Sequence, residues 1–120
     1  MTLYEECLEA LGEYVELSDN QSQIILDAIT SQIEFTWYER IDFNKIENKK
    51  RISSFDELRN IKEKEVYLFW DIEKHILKTK LINIVNAWDD VEALGTRVWI
   101  ISVKMDFFLE YYDELWLGYK

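Results

Sequence analysis

The chain has 120 residues, 24 acidic against 14 basic side chains, a formal net charge of −10 and 15% aromatic residues. That length holds one hydrophobic core and excludes a second of comparable size, so residues 1–120 are expected to form a single domain. The absence of proline, only three glycines and the supply of aromatic side chains exclude a low-complexity or disordered chain.

The charge is unevenly spread. Residues 1–39 carry nine carboxylates and no Lys or Arg, whereas residues 43–64 carry seven basic side chains against four acids. Residues 81–120 return to a net charge of −4. Such a field repels nucleic acid over most of the surface and attracts a basic partner, speeding encounter more than it deepens affinity. Acidic charge also keeps any small protein dissolved, so the pattern needs support from elsewhere. No apolar run reaches the length of a bilayer span, and Met1-Thr-Leu-Tyr-Glu-Glu6 lacks the basic opening of a signal peptide. The expectation is a soluble, cytoplasmic protein without a membrane partner. The lone Cys7 lies at helical spacing from Leu3 and Tyr14 and reads as a buried structural thiol.

In chain order, Thr2 with Glu5 has the form of a capping box, and Leu3, Cys7 and Tyr14 with Tyr4, Leu8, Leu11 and Val15 give the helix after it a broad apolar face. Ser18 with Gln21 repeats the pattern, and Ile24, Ile25, Ala28, Ile29 and Ile33 predict a second amphipathic helix, paired with the first. The aromatic and β-branched content of residues 35–46 predicts an extended segment, and the polar residues 47–51 an exposed loop. Ser54 with Glu57 caps a short helix to about Asn60, and Lys62–Lys64 is a turn. Glu65–Trp70, apolar at both parities, predicts a central strand. Leu77, Leu81, Ile84, Val85 and Trp88 follow helical spacing, which predicts a helix from about Glu73 to Trp88. Val91–Leu94 and Arg97–Val103 read as strand with Gly95 at a bulge, and Phe107–Tyr112 and Leu115–Tyr119 as a hairpin about Asp113-Glu114. The expected class is α+β: N-terminal helices packed on a mostly antiparallel sheet of four or five strands, with a further amphipathic helix.

Chemistry is sparse. There is no GxGxxG, P-loop or CxxC pair, and Gly12, Gly95 and Gly118 are far apart. His75 is the only histidine, too little for an ordinary zinc site, and reads as a surface residue. No serine sits in a nucleophile-elbow context. The pair Asp89-Asp90 falls at an expected helix-to-strand junction, where solvation and turn hydrogen bonding are the commoner roles. Trp37, Trp70, Trp88, Trp99 and Trp116 are platforms for stacking in principle, but most lie in strand or helix patterns and read as core. The basic stretch from Lys45 to Lys64 lacks an aromatic platform for RNA. Neither a catalytic set, a metal nor a cofactor is expected. Surface recognition remains, with the turn carboxylates Asp71, Asp89, Asp90, Asp106, Asp113 and Glu114 as candidate partner contacts on exposed loops.

Several blocks together resemble one family, the small immunity proteins of bacterial contact-dependent growth inhibition. Leu3-Tyr-Glu-Glu-Cys-Leu-Glu-Ala-Leu11 is similar to its opening helix, and Phe35-Thr-Trp-Tyr-Glu-Arg-Ile-Asp-Phe-Asn-Lys-Ile46 to its arginine-isoleucine-aspartate-aromatic segment. Val66-Tyr-Leu-Phe-Trp-Asp71 resembles its first C-terminal strand, and Asp89-Asp-Val91, Trp99, Phe108-Leu-Glu-Tyr-Tyr112 and Leu117-Gly118 resemble its closing sheet. Two loops depart from the family's pattern: Glu73-Lys-His-Ile-Leu77 has no proline, and the closing turn reads Tyr112-Asp-Glu-Leu115. The resemblance implies a non-enzymatic monomer that binds the toxic C-terminal domain of a contact-dependent inhibition effector one-to-one in the cytoplasm. Such toxins are often nucleases, whose basic clefts suit an acidic inhibitor. Two alternatives stay open: an unrelated acidic antitoxin or adaptor, and a small hydrolase with convergent perturbed groups in a pocket.

Overall fold

The computed structural model describes residues 1–36 and 38–120. Its elements are α1 (Leu3–Leu11), β1 (Val15–Glu16), α2 (Asp19–Gln32), β2 (Asn48–Ile52), β3 (Glu65–Trp70), β4 (Leu77–Lys80), α3 (Leu81–Asn86), α4 (Trp88–Glu92), β5 (Val98–Ser102), β6 (Phe107–Tyr112) and β7 (Glu114–Tyr119). Short 3-10 turns lie at Phe43–Lys45 and Phe55–Leu58. The strands form one sheet in the order β1-β4-β3-β5-β6-β7-β2, every neighbour antiparallel. The α+β class stands, with seven strands instead of four or five.

Because successive side chains of a strand point to opposite faces, the apolar strands feed two cores at once. Val66, Leu68, Trp70, Val98, Ile100, Leu109 and Leu117 pack on one face with Cys7 and Leu11 of α1, Leu81 and Ile84 of α3 and Val91 of α4. Tyr67, Phe69, Trp99, Ile101 and Phe108 pack on the other with Ile29 of α2, Ile33 and Ile41. The expected pairing of the two N-terminal helices is therefore corrected. Their apolar faces address opposite sides of the sheet, and the chain crosses between them along β1, which pairs with β4 at the sheet edge.

Local signals decide much of this. Thr2, Ser18 and Ser54 each close a capping box, with Glu5, Gln21 and Glu57 respectively. Such a box satisfies amides that a helix start leaves open. The hairpin joining β6 to β7 turns on Asp113 at φ 62°, a left-handed conformation that Asp tolerates better than most side chains. Gly118 lies opposite Phe108 in this pair, and a Cβ there would stand 2.3 Å from the Phe108 ring. The glycine lets a fully buried aromatic lie across its strand.

Three further expectations fail. The helix from Glu73 to Trp88 is instead β4 followed by α3 and α4. Leu77 and Thr79 are buried while Lys80 is exposed, and β4 takes the free edge of β3 with Leu77 opposite Leu68. Residues 47–51 are no loop: Asn48–Ile52 is an edge strand paired with β7 over five positions. An edge strand with one outward rim tolerates Lys and Arg, and those charges discourage pairing with another chain. Residues 91–94 end a helix, and Gly95 lies in the loop before β5, not at a strand bulge. The segment 35–46 is extended in part, with a bridge between Phe35 and Ile41 and then the turn at Phe43–Lys45. Trp70 and Trp99 are buried and Trp88 and Trp116 half-buried, whereas Trp37 lies outside the described residues.

Candidate partner-binding surface

Antiparallel pairing gathers distant loops at each end of the sheet. At one end β3 finishes at Trp70, β6 at Tyr112 and β2 at Ile52, while β4, β5 and β7 begin. Asp71, Asp113 and Glu114 all lie at this end. Helix α4 covers the same end, since the Trp70 indole donates to the Val91 carbonyl at 2.8 Å and Trp88 meets Tyr111 edge-on at 5.0 Å. Asp89 and Asp90 lie in the first turn of α4, not at a helix-to-strand junction, and are exposed and half-buried respectively. Carboxylates at a helix start complement its dipole. Asp106 is separate: it lies in the turn between β5 and β6 at the opposite end.

The six carboxylates also differ in what already holds them. One Asp71 oxygen accepts from the Thr96 and Arg97 amides, both at 3.1 Å, and a Cβ at Gly95 would stand 2.6 Å from it. Asp71 therefore fastens the loop that enters β5, and the missing side chain at Gly95 is what admits it. Asp106 accepts from the Ser102 hydroxyl, which holds its carboxyl below the usual range. Asp113 and Glu114 are exposed, and Glu114 takes only a 3.6 Å contact from Arg51 and a 3.3 Å bond from the Trp116 indole.

Two open grooves flank this end. One, of about 310 Å3, runs between the β6–β7 hairpin, Ser53–Phe55 and Trp88, with Tyr111 in its wall and Asp113 and Glu114 on its rim. The other, of about 500 Å3, lies on the opposite face between α2, Phe35, Trp99 and residues 71–74. Beside the second groove Ile72 is 68% exposed, an apolar side chain offered to solvent on a carboxylate-bearing loop.

His75 is exposed at the edge of the same end, in the loop before β4 and not in a helix. Its ring stacks on Tyr4 at 4.4 Å and stands between Glu73 at Nδ1 and Glu16 at Nε2. Among the described residues no group of three or more His, Cys, Asp or Glu is arranged to hold a metal. Among them, too, no helix is long and apolar enough to cross a membrane. Cys7 is buried as expected; burial, with the fields of Asp90 and Glu73, pushes its thiol up to about 11. Such a thiol is a poor nucleophile.

Reading the sequence missed Glu110. Only 1% exposed, its carboxylate accepts from the Arg40 guanidinium at 2.8 Å, the Ile41 amide at 2.6 Å and the Trp99 indole at 2.8 Å. Arg40 also lies over the Tyr112 ring, 4.6 Å from its centroid. Strand parity was the available signal, because Phe108, Glu110 and Tyr112 share one face of β6 and Phe108 is core. Three separated blocks, around Arg40, Trp99 and Glu110, thus close on one buried charge.

A comparison with curated proteins found no similar sequence. A family model does match, over residues 1–117, and that span includes the four helices that flank the sheet, the Glu110 cluster and the acidic end. The chain belongs to the family described as CdiI immunity protein, EcoliA0-like.

Proposed function

We propose that this protein neutralises its cognate toxin by binding the toxin's C-terminal domain one-to-one in the cytoplasm, without catalysis, and that this domain is a nuclease. Family membership supports the toxin as partner. The observation that carries the finer reading is the gathering of Asp71, Asp89, Asp90, Asp113 and Glu114 at one end of a rigid sheet. A nuclease needs a cationic cleft for phosphates, and an anionic surface of fixed geometry complements such a cleft. Neither nucleic acid nor a membrane is a partner in this reading. Specificity then rests on shape and on charges that a non-cognate toxin leaves unpaired.

Calorimetry against the toxin domain encoded immediately upstream tests this. Tight one-to-one binding that weakens with added salt, together with loss of nuclease activity and toxicity, is the expected result. Tight binding unmoved by salt would refute charge steering, and no binding would refute the cognate pairing.

A further inference from the structure

We propose that the groove beside the β6–β7 hairpin is a socket for one arginine side chain of the partner, its guanidinium lying between the aromatic wall and the Asp113–Glu114 rim. The identity of the partner rests on the toxin-binding reading; the chemistry of the socket does not.

The wall comes first. Phe55 meets Trp88 at 5.3 Å and Trp88 meets Tyr111 at 5.0 Å, both edge-on, so three rings brace one another along the groove. Trp88 and Tyr111 are both half-buried and both line the groove. Aromatic surface beside carboxylates suits a guanidinium, which is planar, weakly hydrated and able to stack. The field has the matching sign. Asp113 and Glu114 stand on the rim, and the Tyr111 hydroxyl in the wall is raised above its ordinary value by burial first and then by the carboxylates of Glu92 and Asp113.

The chain already places a guanidinium at this mouth. Arg51 lines the groove 3.6 Å from Glu114, with both side chains exposed. A loose exposed pair of this kind holds little free energy and exchanges readily. Arg51 therefore marks the group that the rim attracts and acts as its weak internal competitor. An acidic partner side chain would face Asp113 and Glu114, with Arg51 as the cation among the residues lining the groove.

The test has two arms. In the first, N-acetyl-arginine amide is titrated into the protein, with N-acetyl-glutamate amide as control, following the Trp88 indole and Tyr111 ring signals by NMR. Both should move with the arginine compound and not with the glutamate compound, and the exposed double variant Asp113→Asn/Glu114→Gln should lose the response. In the second, that variant should bind the upstream-encoded toxin domain about tenfold more weakly. Arg51→Ala should leave binding unchanged or tighten it. The socket is refuted if the arginine compound moves neither ring, or if Arg51→Ala weakens toxin binding while the carboxylate variant does not. Failure of the wild-type protein to bind the toxin domain overturns the toxin reading instead, and the arginine titration still decides the socket.

Discussion

The two ends of the sheet are built from similar turns and carry different chemistry. Each has a tight connection with a left-handed residue, Asp113 between β6 and β7 and Met105 between β5 and β6. At the Met105 end the methionine is buried, and Asp106 is held by Ser102 with Lys64 and Lys104 nearby. Lys62, Lys64, Lys80 and Lys104 share this end with Glu63 and Glu65, and Lys80 stands 3.7 Å from Glu63, so acids and bases here are interspersed. At the Asp113 end, exposed carboxylates gather beside two grooves. The contrast teaches that net charge alone says little about a binding surface. What matters is which carboxylates the fold has already engaged.

Substitutions break or sharpen this comparison, beginning with the deepest carboxylate. Glu110→Ala leaves the Arg40 guanidinium, the Ile41 amide and the Trp99 indole without their shared acceptor. A loss of about 3–5 kcal/mol is expected in urea denaturation, as for a broken buried ion pair. Asp71→Ala should cost about 1–3 kcal/mol, because two loop amides lose their acceptor. If stability were untouched, Asp71 would belong with the unengaged acids. Asp113→Asn/Glu114→Gln should change stability by less than about 0.5 kcal/mol, since both side chains are exposed. Asp106→Asn, at the opposite end, should leave toxin affinity at the wild-type value in calorimetry, and a clear loss there would erase the distinction between the ends.

The smallest effect is one of pH. The Lys50 ammonium, together with the Ser53 and Ser54 amides, holds the Glu57 carboxyl down to about 2. A lowered folded value means that its contribution is complete above the ordinary 4.5 and is lost as pH falls towards about 2. Protection of the Ser53 and Ser54 amides, beside the proposed socket, should therefore fall over that acid window when their exchange is compared with the intrinsic rate at each pH. Protection that stays constant down to pH 2 would show that Glu57 does not fasten this corner.

Much of the fold was legible, and the failures share a cause. The caps at Thr2, Ser18 and Ser54 and the strands β3, β6 and β7 each announce themselves within a few residues. β4 escaped because Leu77 satisfies both a helical and a strand period, and no Gly or Pro marks the change to α3 at Leu81. β2 escaped because its pairing is supplied by the backbone of β7 and not by apolar side chains of its own. The helix pair was misjudged because an amphipathic pattern shows that a face is buried without showing against what. Asp71, Asp106 and Asp113 lie in turns as read, but Asp89 and Asp90 lie in α4 and Glu114 opens β7; the division of the six between the two ends required the strand register. Glu110 needed its distant partners to be seen as anything but one more acidic residue.

The strand order also bears on how the chain comes together. β5, β6 and β7 are neighbours in sequence and in the sheet, so their contacts close short loops. β2 instead waits for β7: Lys50 lies opposite Leu117, more than half the chain away. Long closures carry more entropy loss and form late. During synthesis β2 emerges well before its partner exists, and its Lys49, Lys50 and Arg51 keep that waiting strand hydrated and unattractive to other nascent chains. A charged edge thus suits a strand that must wait for a partner made so much later in the chain.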